Sequence, residues 1–201
     1  MKRKNPLVSI SVVTYNGLKY LKYCFSSIFS QSYSNIEILV LDNNSTDGTA
    51  DWLKNLKPRN NLRIIFSRQN LGFAKGHNQV IKESRGEFVL CLNQDAVLDK
   101  DFVRTAIETF TRDRKTGAIQ GKLYRWQIGM PASQGTMDYQ VSRVIDTTGL
   151  IIFKNRRIIN REQGQIDLGN FNRTEEVFGV DGAAAFYRRQ MLEDIKIPIK
   201  R

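Results

Sequence analysis

The stretch that most restricts how this chain can fold is Ile36–Thr49, IEILVLDNNSTDGT. Ile36, Ile38, Leu39, Val40 and Leu41 form a nearly continuous apolar run that stops abruptly at Asp42. A short run of this kind reads as a strand buried on both faces, as in a parallel sheet covered by helices. Ser45 or Thr46 is expected to cap the helix that follows, and Gly48 allows a tight turn beside it. Asp42 then falls at the carboxyl end of a central strand, where open α/β sheets bind ligands. A turn-forming aspartate without a ligand is the plain alternative.

The flanking sequence extends the same alternation. Leu7–Thr14 reads as a first strand, with Tyr15-Asn16-Gly17 as the turn and Asn16 as the helix cap. Leu18, Leu21, Phe25, Ile28 and Phe29 then recur at helical spacing. After the central strand come a short helix at 50–56, a strand at Leu62–Ser67 and a loop into a helix that ends near Gly86. Glu87–Leu92 is a fourth strand, Asp99–Asp113 a helix with Phe102, Val103, Ala106, Ile107 and Phe110 inward, and Thr116–Lys122 a further strand. The order predicts a Rossmann-like α/β sheet, mostly parallel, with right-handed crossovers. Beyond Lys122 the periodicity fades. Tyr124–Arg143 reads as a loop, and Asp146–Phe153 with Arg157–Arg161 as a hairpin. Val177–Val180 and Ala183–Tyr187 read as strands and Arg188–Ile195 as a helix, before Pro198 interrupts the chain. The expected division is residues 1–122 as one α/β half and 123–201 as a smaller β-rich portion of the same domain.

Composition excludes several classes. With 201 residues the chain can bury a real core, and no run approaches the roughly 18 apolar residues that a bilayer span requires. The start, MKRKNPLVSISVV, is too short in its apolar part for a signal peptide and reads as a cytosolic start. Cys24 and Cys91 read as free buried thiols, and the single His77 as a surface or hydrogen-bonded residue rather than a metal ligand. A net charge of +11 suits an anionic partner: nucleotide phosphates, a membrane surface or nucleic acid. No aromatic–basic RNA motif or DNA-reading helix accompanies it, so no nucleic-acid partner is expected.

Three polar clusters end the first, second and fourth strands: Thr14-Tyr15-Asn16, Asp42-Asn43-Asn44 and Asn93-Gln94-Asp95. In a doubly wound sheet these ends converge on one crevice. Asp42 can accept from a base N–H or a ribose hydroxyl. Asp95 offers the hard oxygen that Mg²⁺ or Mn²⁺ prefers, or serves only as a strand-end turn residue. Neither G-x-G-x-x-G nor a Walker A loop occurs at the required position, which argues against a dinucleotide oxidoreductase or a P-loop enzyme.

The segments SISVVTYNG, EILVLDNNSTDGT, NLGFAKGHN and LNQD, in this order, resemble glycosyltransferase family 2, over about residues 7–195. The resemblance implies the GT-A fold and the use of nucleotide-diphosphate sugars, UDP- or dTDP-linked. By the same resemblance, Thr14, Tyr15 and Asn16 border the nucleobase, Asp42 binds base or ribose with Asn44 and Ser45 beside it, and Gly72, Phe73, Ala74, Gly76 and Asn78 line the donor. Gln94 joins this donor-facing set. Asp95 matches the last aspartate of the metal motif, with Asn93 in place of the first, a pattern similar to the rhamnosyltransferase-like branch.

That family inverts configuration at the sugar carbon as an acceptor hydroxyl displaces the nucleoside diphosphate, with a divalent metal as Lewis acid. The implied setting is cell-envelope or lipid-linked glycan synthesis in the cytoplasm, peripheral to the inner membrane face, with a glycan or polyprenyl-linked acceptor. The family's base lies in an acidic segment after the helix that begins at Arg188, so the base is expected beyond Arg201 and the chain reads as truncated at that end. Truncation would expose apolar surface and favour a homo-oligomer. The competing reading is a nucleotide-sugar-binding fragment or pseudoenzyme.

Overall fold

A computed structural model describes residues 5–129 and 139–197. Pro198 and the middle of the Tyr124–Arg143 stretch lie outside these residues. The described chain forms two compact units, one of residues up to Ile119 together with those from Gly182 onward, the other Gln120–Asp181.

The first unit carries strands β1 (Val8–Thr14), β2 (Ile36–Asp42), β3 (Leu62–Phe66), β4 (Phe88–Asn93) and β5 (Ala118–Ile119), and helices α1 (Leu18–Phe29), α2 (Thr49–Lys54), α3 (Gly72–Glu83) and α4 (Phe102–Arg112). The second unit holds β6 (Leu123–Ile128), β7 (Tyr139–Thr147), β8 (Leu150–Ile152) and β9 (Ile158–Asn160). β10 (Ala184–Arg188) and α5 (Arg189–Asp194) return to the first unit. Its sheet has the order β3-β2-β1-β4-β10-β5, with β1 to β4 parallel and β10 antiparallel to both β4 and β5. The chain therefore winds from β1 outward to β3, then crosses back to place β4 on the other side of β1. The crevice between β1 and β4 is the topological switch point of the sheet.

Every residue of β2 is buried, as the apolar run predicts. On the helices, Leu21, Phe25 and Ile28 of α1 and Val103, Ala106, Ile107 and Phe110 of α4 face inward. Phe88, Phe110 and Phe186 pack as an aromatic cluster, with the Arg188 guanidinium 5.1 Å from the Phe88 ring centre.

Four readings change. The segment Thr116–Lys122 pairs only at Ala118–Ile119, and it does so antiparallel to a strand that arrives from the far end of the chain. The Tyr124–Arg143 stretch is no simple loop: β6 and β7 pair across it with two register shifts. Those bulges and the polar residues of β7 break the strict alternation by which a strand is recognised. Of Val177–Val180, the structure shows a single bridge, Gly179 to Leu150. The 150s hairpin is present as β8–β9, while Asp146 and Thr147 belong to β7.

At the amino-terminal edge of the sheet, Glu37 is only 8% exposed. Its Oε1 accepts from Ser9 Oγ at 2.6 Å, Arg85 N at 2.5 Å and Gly86 N at 3.1 Å. Burial alone would raise this carboxyl, but the Ser9 and backbone hydrogen bonds and the Arg85 charge together hold it below the usual carboxylate range. A depressed folded-state pKa contributes stability that is present above the unfolded value and is lost as pH falls through the folded one. Glu37→Gln will therefore flatten the acid side of a melting-temperature-against-pH curve. An acid limb as steep as the parent's would show that Glu37 does not drive it.

Candidate functional site

The site is built at the carboxyl ends of β1, β2 and β4. In register, Thr14 lies beside Asp42, and Val13 beside Asn93. With strands about 4.8 Å apart, the ends that carry Asp42 and Gln94 stand about 10 Å from each other on either side of β1.

Asp42 is 2% exposed. Its Oδ2 accepts from Ser45 N at 3.2 Å, while its Oδ1 is buried and has no hydrogen-bond partner. Buried acceptors are normally paired, so this oxygen has room for a donor that the described residues do not supply; Nε2 of His77 is likewise buried and unpartnered.

The loops after β1 and β2 are tied together. Ser45 Oγ accepts from Asn16 N at 2.9 Å, and Asn16 Oδ1 accepts from Thr46 N at 2.9 Å. Thr49 Oγ1 accepts from Gly17 N at 3.0 Å, and Asp47 Oδ2 accepts from Leu18 N at 3.1 Å. Two capping expectations are corrected here. α1 starts after Gly17 and α2 after Gly48, and neither flanking residue supplies a side-chain cap. The first turn of α1 is instead satisfied across the loops by Asp47 and Thr49, and Asp47 Oδ1 also accepts from Thr49 N at 3.0 Å. Asn16 and Asn44 take left-handed backbone angles, φ 50° and 66°, which asparagine tolerates better than most residues.

Asn43 fastens the second loop to α3: its Oδ1 accepts from Leu71 N at 3.1 Å and its Nδ2 donates to Gly72 O at 3.2 Å. Gly72 has φ 72°, and Phe73 and Ala74, in the first turn of α3, are exposed beside it. Gly76 is a close-approach glycine, since a Cβ there would come within 2.9 Å of Val13 Cγ1. Asn78 is exposed one position past His77. His77 itself is buried, with Nδ1 2.8 Å from Ser11 Oγ and its ring against Phe73. Of the two roles open to it, the hydrogen-bonded one is observed; burial lowers its pKa to about 4 and keeps the imidazole neutral.

Gln94 bridges the switch point. Its Oε1 accepts from Thr14 Oγ1 at 2.5 Å and Tyr15 N at 2.9 Å, and its Nε2 donates to Tyr15 O at 3.2 Å. Thr14 and Gln94 thus spend their polar atoms on fixing Tyr15, a residue that is 46% exposed. Asp95, next along, is exposed. Burial first, and then the Asp95 charge, push the Cys24 thiol well above its ordinary value.

Among the described residues no group of three or more His, Cys, Asp and Glu side chains could cage a metal ion. One exposed carboxylate beside Asn93 fits a different arrangement, in which Mg²⁺ or Mn²⁺ takes most of its oxygens from a diphosphate and water and only one from the protein.

Asp47 and Thr49 are the structural contributors that motif reading passed over, and Asn43, named only as part of a polar cluster, turns out to fasten the second loop to α3. The run NNSTDGT is rich in residues that bond nearby backbone, a signal for loop order without a stated partner.

The model of the family described as Glycosyl transferase family 2 matches residues 9–196. Poly-beta-1,6-N-acetyl-D-glucosamine synthase of Staphylococcus aureus (strain COL) is 29% identical over 114 residues, covering 57% of this chain and 28% of that protein. The chain thus spans little more than a quarter of the length of the curated relatives it matches. Among solved structures, a mannosyltransferase from Pyrobaculum calidifontis in complex with GDP-Man and Mn²⁺ shares 26% identity, with a TM-score of 0.55 over 61% of this chain and 37% of that one. S. aureus TarS 1–349 in complex with UDP covers 96% of this chain and 50% of its own, with a TM-score of 0.63 and 21% identity, a likeness of fold. Strand order, switch-point site and the span of the family match agree: this chain is a member of glycosyl transferase family 2 and has the GT-A fold.

Proposed function

We propose that this chain binds a nucleotide-diphosphate sugar, UDP- or dTDP-linked, and serves an inverting transfer of its sugar to a hydroxyl of a cell-envelope or lipid-linked glycan. The observation that carries the reading is the unpartnered, buried Oδ1 of Asp42 at the sheet's switch point. A base N–H or ribose hydroxyl satisfies it. Tyr15, Asn44 and Asn78 line the approach, and the exposed residues Gly72, Phe73 and Ala74 border it. When bound at Asp95, Mg²⁺ or Mn²⁺ supplies Lewis-acid charge for the departing diphosphate. Gln94 and Thr14 hold the Tyr15 backbone rigid, which keeps the pocket preorganised for the donor. The proton of the acceptor hydroxyl is assigned to none of the described carboxylates.

Residues 1–122 form the donor half in this reading and 123–201 the acceptor side, with β10 lending a strand to the donor sheet. An open, shallow depression in the Gln120–Asp181 unit, lined by Tyr124, Arg143, Asp167 and Asn172, is the place this reading gives the acceptor. The replacement of the first metal-motif carboxylate by Asn93 favours a second reading, nucleotide-sugar binding without transfer.

A thermal-shift panel of UDP-, dTDP- and GDP-sugars, with and without Mn²⁺, tests the proposal. At a hundred times the dissociation constant a ligand stabilises by about 2.7 kcal/mol, a shift of several degrees. Asp95→Asn is expected to abolish the Mn²⁺-dependent part of the shift and keep the rest. No shift with any nucleotide sugar would overturn the reading. Binding without transfer to any envelope glycan would select the second one.

A further inference from the structure

The hairpin β8–β9 turns an unusual surface outward. Residues 151–158, IIFKNRRI, are exposed without a break. Ile152 is 41%, Phe153 46% and Ile158 51% exposed, and Ile152 pairs directly with Ile158 across the strands. On the other edge of β8, Gly179 bridges to Leu150, and Phe178, the residue before it, is 57% exposed. Ile151, Ile152, Phe153 and Ile158 together leave an apolar patch in the open on a short hairpin, the kind of surface that marks a contact site.

Charge tells what covers it. Lys154, Arg156 and Arg157 crowd the tip, residues 150–160 contain no Asp or Glu, and none of the three cations has a salt bridge among the described residues. The tip is closed by Phe153 N to Arg157 O at 2.9 Å and Arg156 N to Phe153 O at 2.8 Å. Arg156 holds φ 65°, a left-handed conformation that glycine or asparagine would fill with less strain. The chain keeps a cation where turn geometry argues for a glycine. The hairpin tip, apolar side chains with three cations and no acidic residue between 150 and 160, matches an anionic lipid surface: side chains enter the acyl boundary while the cations meet the headgroups.

We propose that the β8–β9 hairpin docks the protein on anionic membrane, with Ile152, Phe153 and Ile158 inserting and Lys154, Arg156 and Arg157 contacting lipid phosphates. The assignment is separate from the donor site and does not depend on which nucleotide is bound there.

Co-sedimentation with phosphatidylglycerol-containing vesicles, against pure phosphatidylcholine vesicles, tests it. The parent chain is expected to bind the anionic vesicles in preference. The triple change Lys154→Gln, Arg156→Gly, Arg157→Gln is expected to weaken that binding about a hundredfold, roughly fivefold per cation. Its melting temperature will hold or rise, because Arg156→Gly relieves the turn. Ile152→Ser with Phe153→Ser is expected to weaken binding at least tenfold with all charges in place. Parent-like vesicle binding by both variants would overturn the proposal and assign the attraction to the chain's other basic residues. Indifference of the parent to anionic vesicles would overturn it as well. A concentration-dependent dimer in light scattering that Phe153→Ser dissolves would replace it with self-association.

Discussion

Asp42→Ala is expected to weaken nucleoside-diphosphate binding by about a hundredfold while leaving the melting temperature of the free protein nearly unchanged. A hydrogen bond to a charged group contributes about 1.5–3 kcal/mol, which corresponds to between tenfold and a hundred and fifty fold in affinity. The opposite behaviour of stability comes from the same atom. Oδ1 is buried without a protein partner, so the free protein pays for its desolvation and gains nothing back. Its removal offsets the loss of the Ser45 N contact and the small void left behind. Asparagine is no harmless replacement: Oδ2 faces the donor Ser45 N, and Oδ1 awaits another donor, so an amide NH₂ opposes a donor whichever way it turns. Isothermal titration with UDP and dTDP, paired with a melt of the free proteins, checks both halves. Unaltered affinity in Asp42→Ala would remove this residue from the donor site. A large drop in melting temperature would make it a structural residue instead.

Gly86→Ala carries the largest expected cost to folding. A Cβ at Gly86 would stand 2.6 Å from Ser9 N and 2.8 Å from Phe88 O, both backbone atoms of neighbouring strands, and 2.5 Å from Ser9 Oγ. Rotamer changes cannot relieve contacts with backbone. The same displacement pulls Gly86 N from Ser9 Oγ and from Glu37 Oε1, leaving a buried carboxylate short of a donor. Overpacking costs about 1–3 kcal/mol and the lost pairing about as much again. For a chain of this size that predicts a melting temperature about 10 °C lower. Glu37 and Asp42 stand five residue steps apart along β2, about 16 Å of strand, so whatever protein folds should retain its nucleotide affinity. A melt within a degree or two of the parent would show that the sheet edge yields more readily than its hydrogen bonding suggests.

Much of the framework around this candidate site is legible in the sequence. The apolar run that halts at Asp42 identifies a buried strand and its end, and the cluster Asn93-Gln94-Asp95 does the same for β4. Helical spacing likewise located α1 and α4. These are local signals, carried by residues within a turn or a strand of one another. The caps of α1 escaped because their donors and acceptors lie about thirty residues apart: Gly17 with Thr49 and Leu18 with Asp47. Gln94 read as one more polar residue facing a ligand, yet its amide is committed to Tyr15, 79 residues earlier. The polar stretch of β7 escaped for another reason. Its bulged pairing with β6 takes the period-two pattern out of phase.

The sequence by itself determined the parallel core β1 to β4, the family and the strand ends at which polar residues gather, because burial on both faces and helical periodicity are written in neighbouring positions. Only the tertiary structure decided that β10 comes back antiparallel beside β4, that the second loop caps the helix after the first, and that one buried oxygen of Asp42 has no protein partner. Each of those outcomes depends on which distant residues meet, and hydrogen-bond partners are chosen by chain geometry rather than by residue type alone.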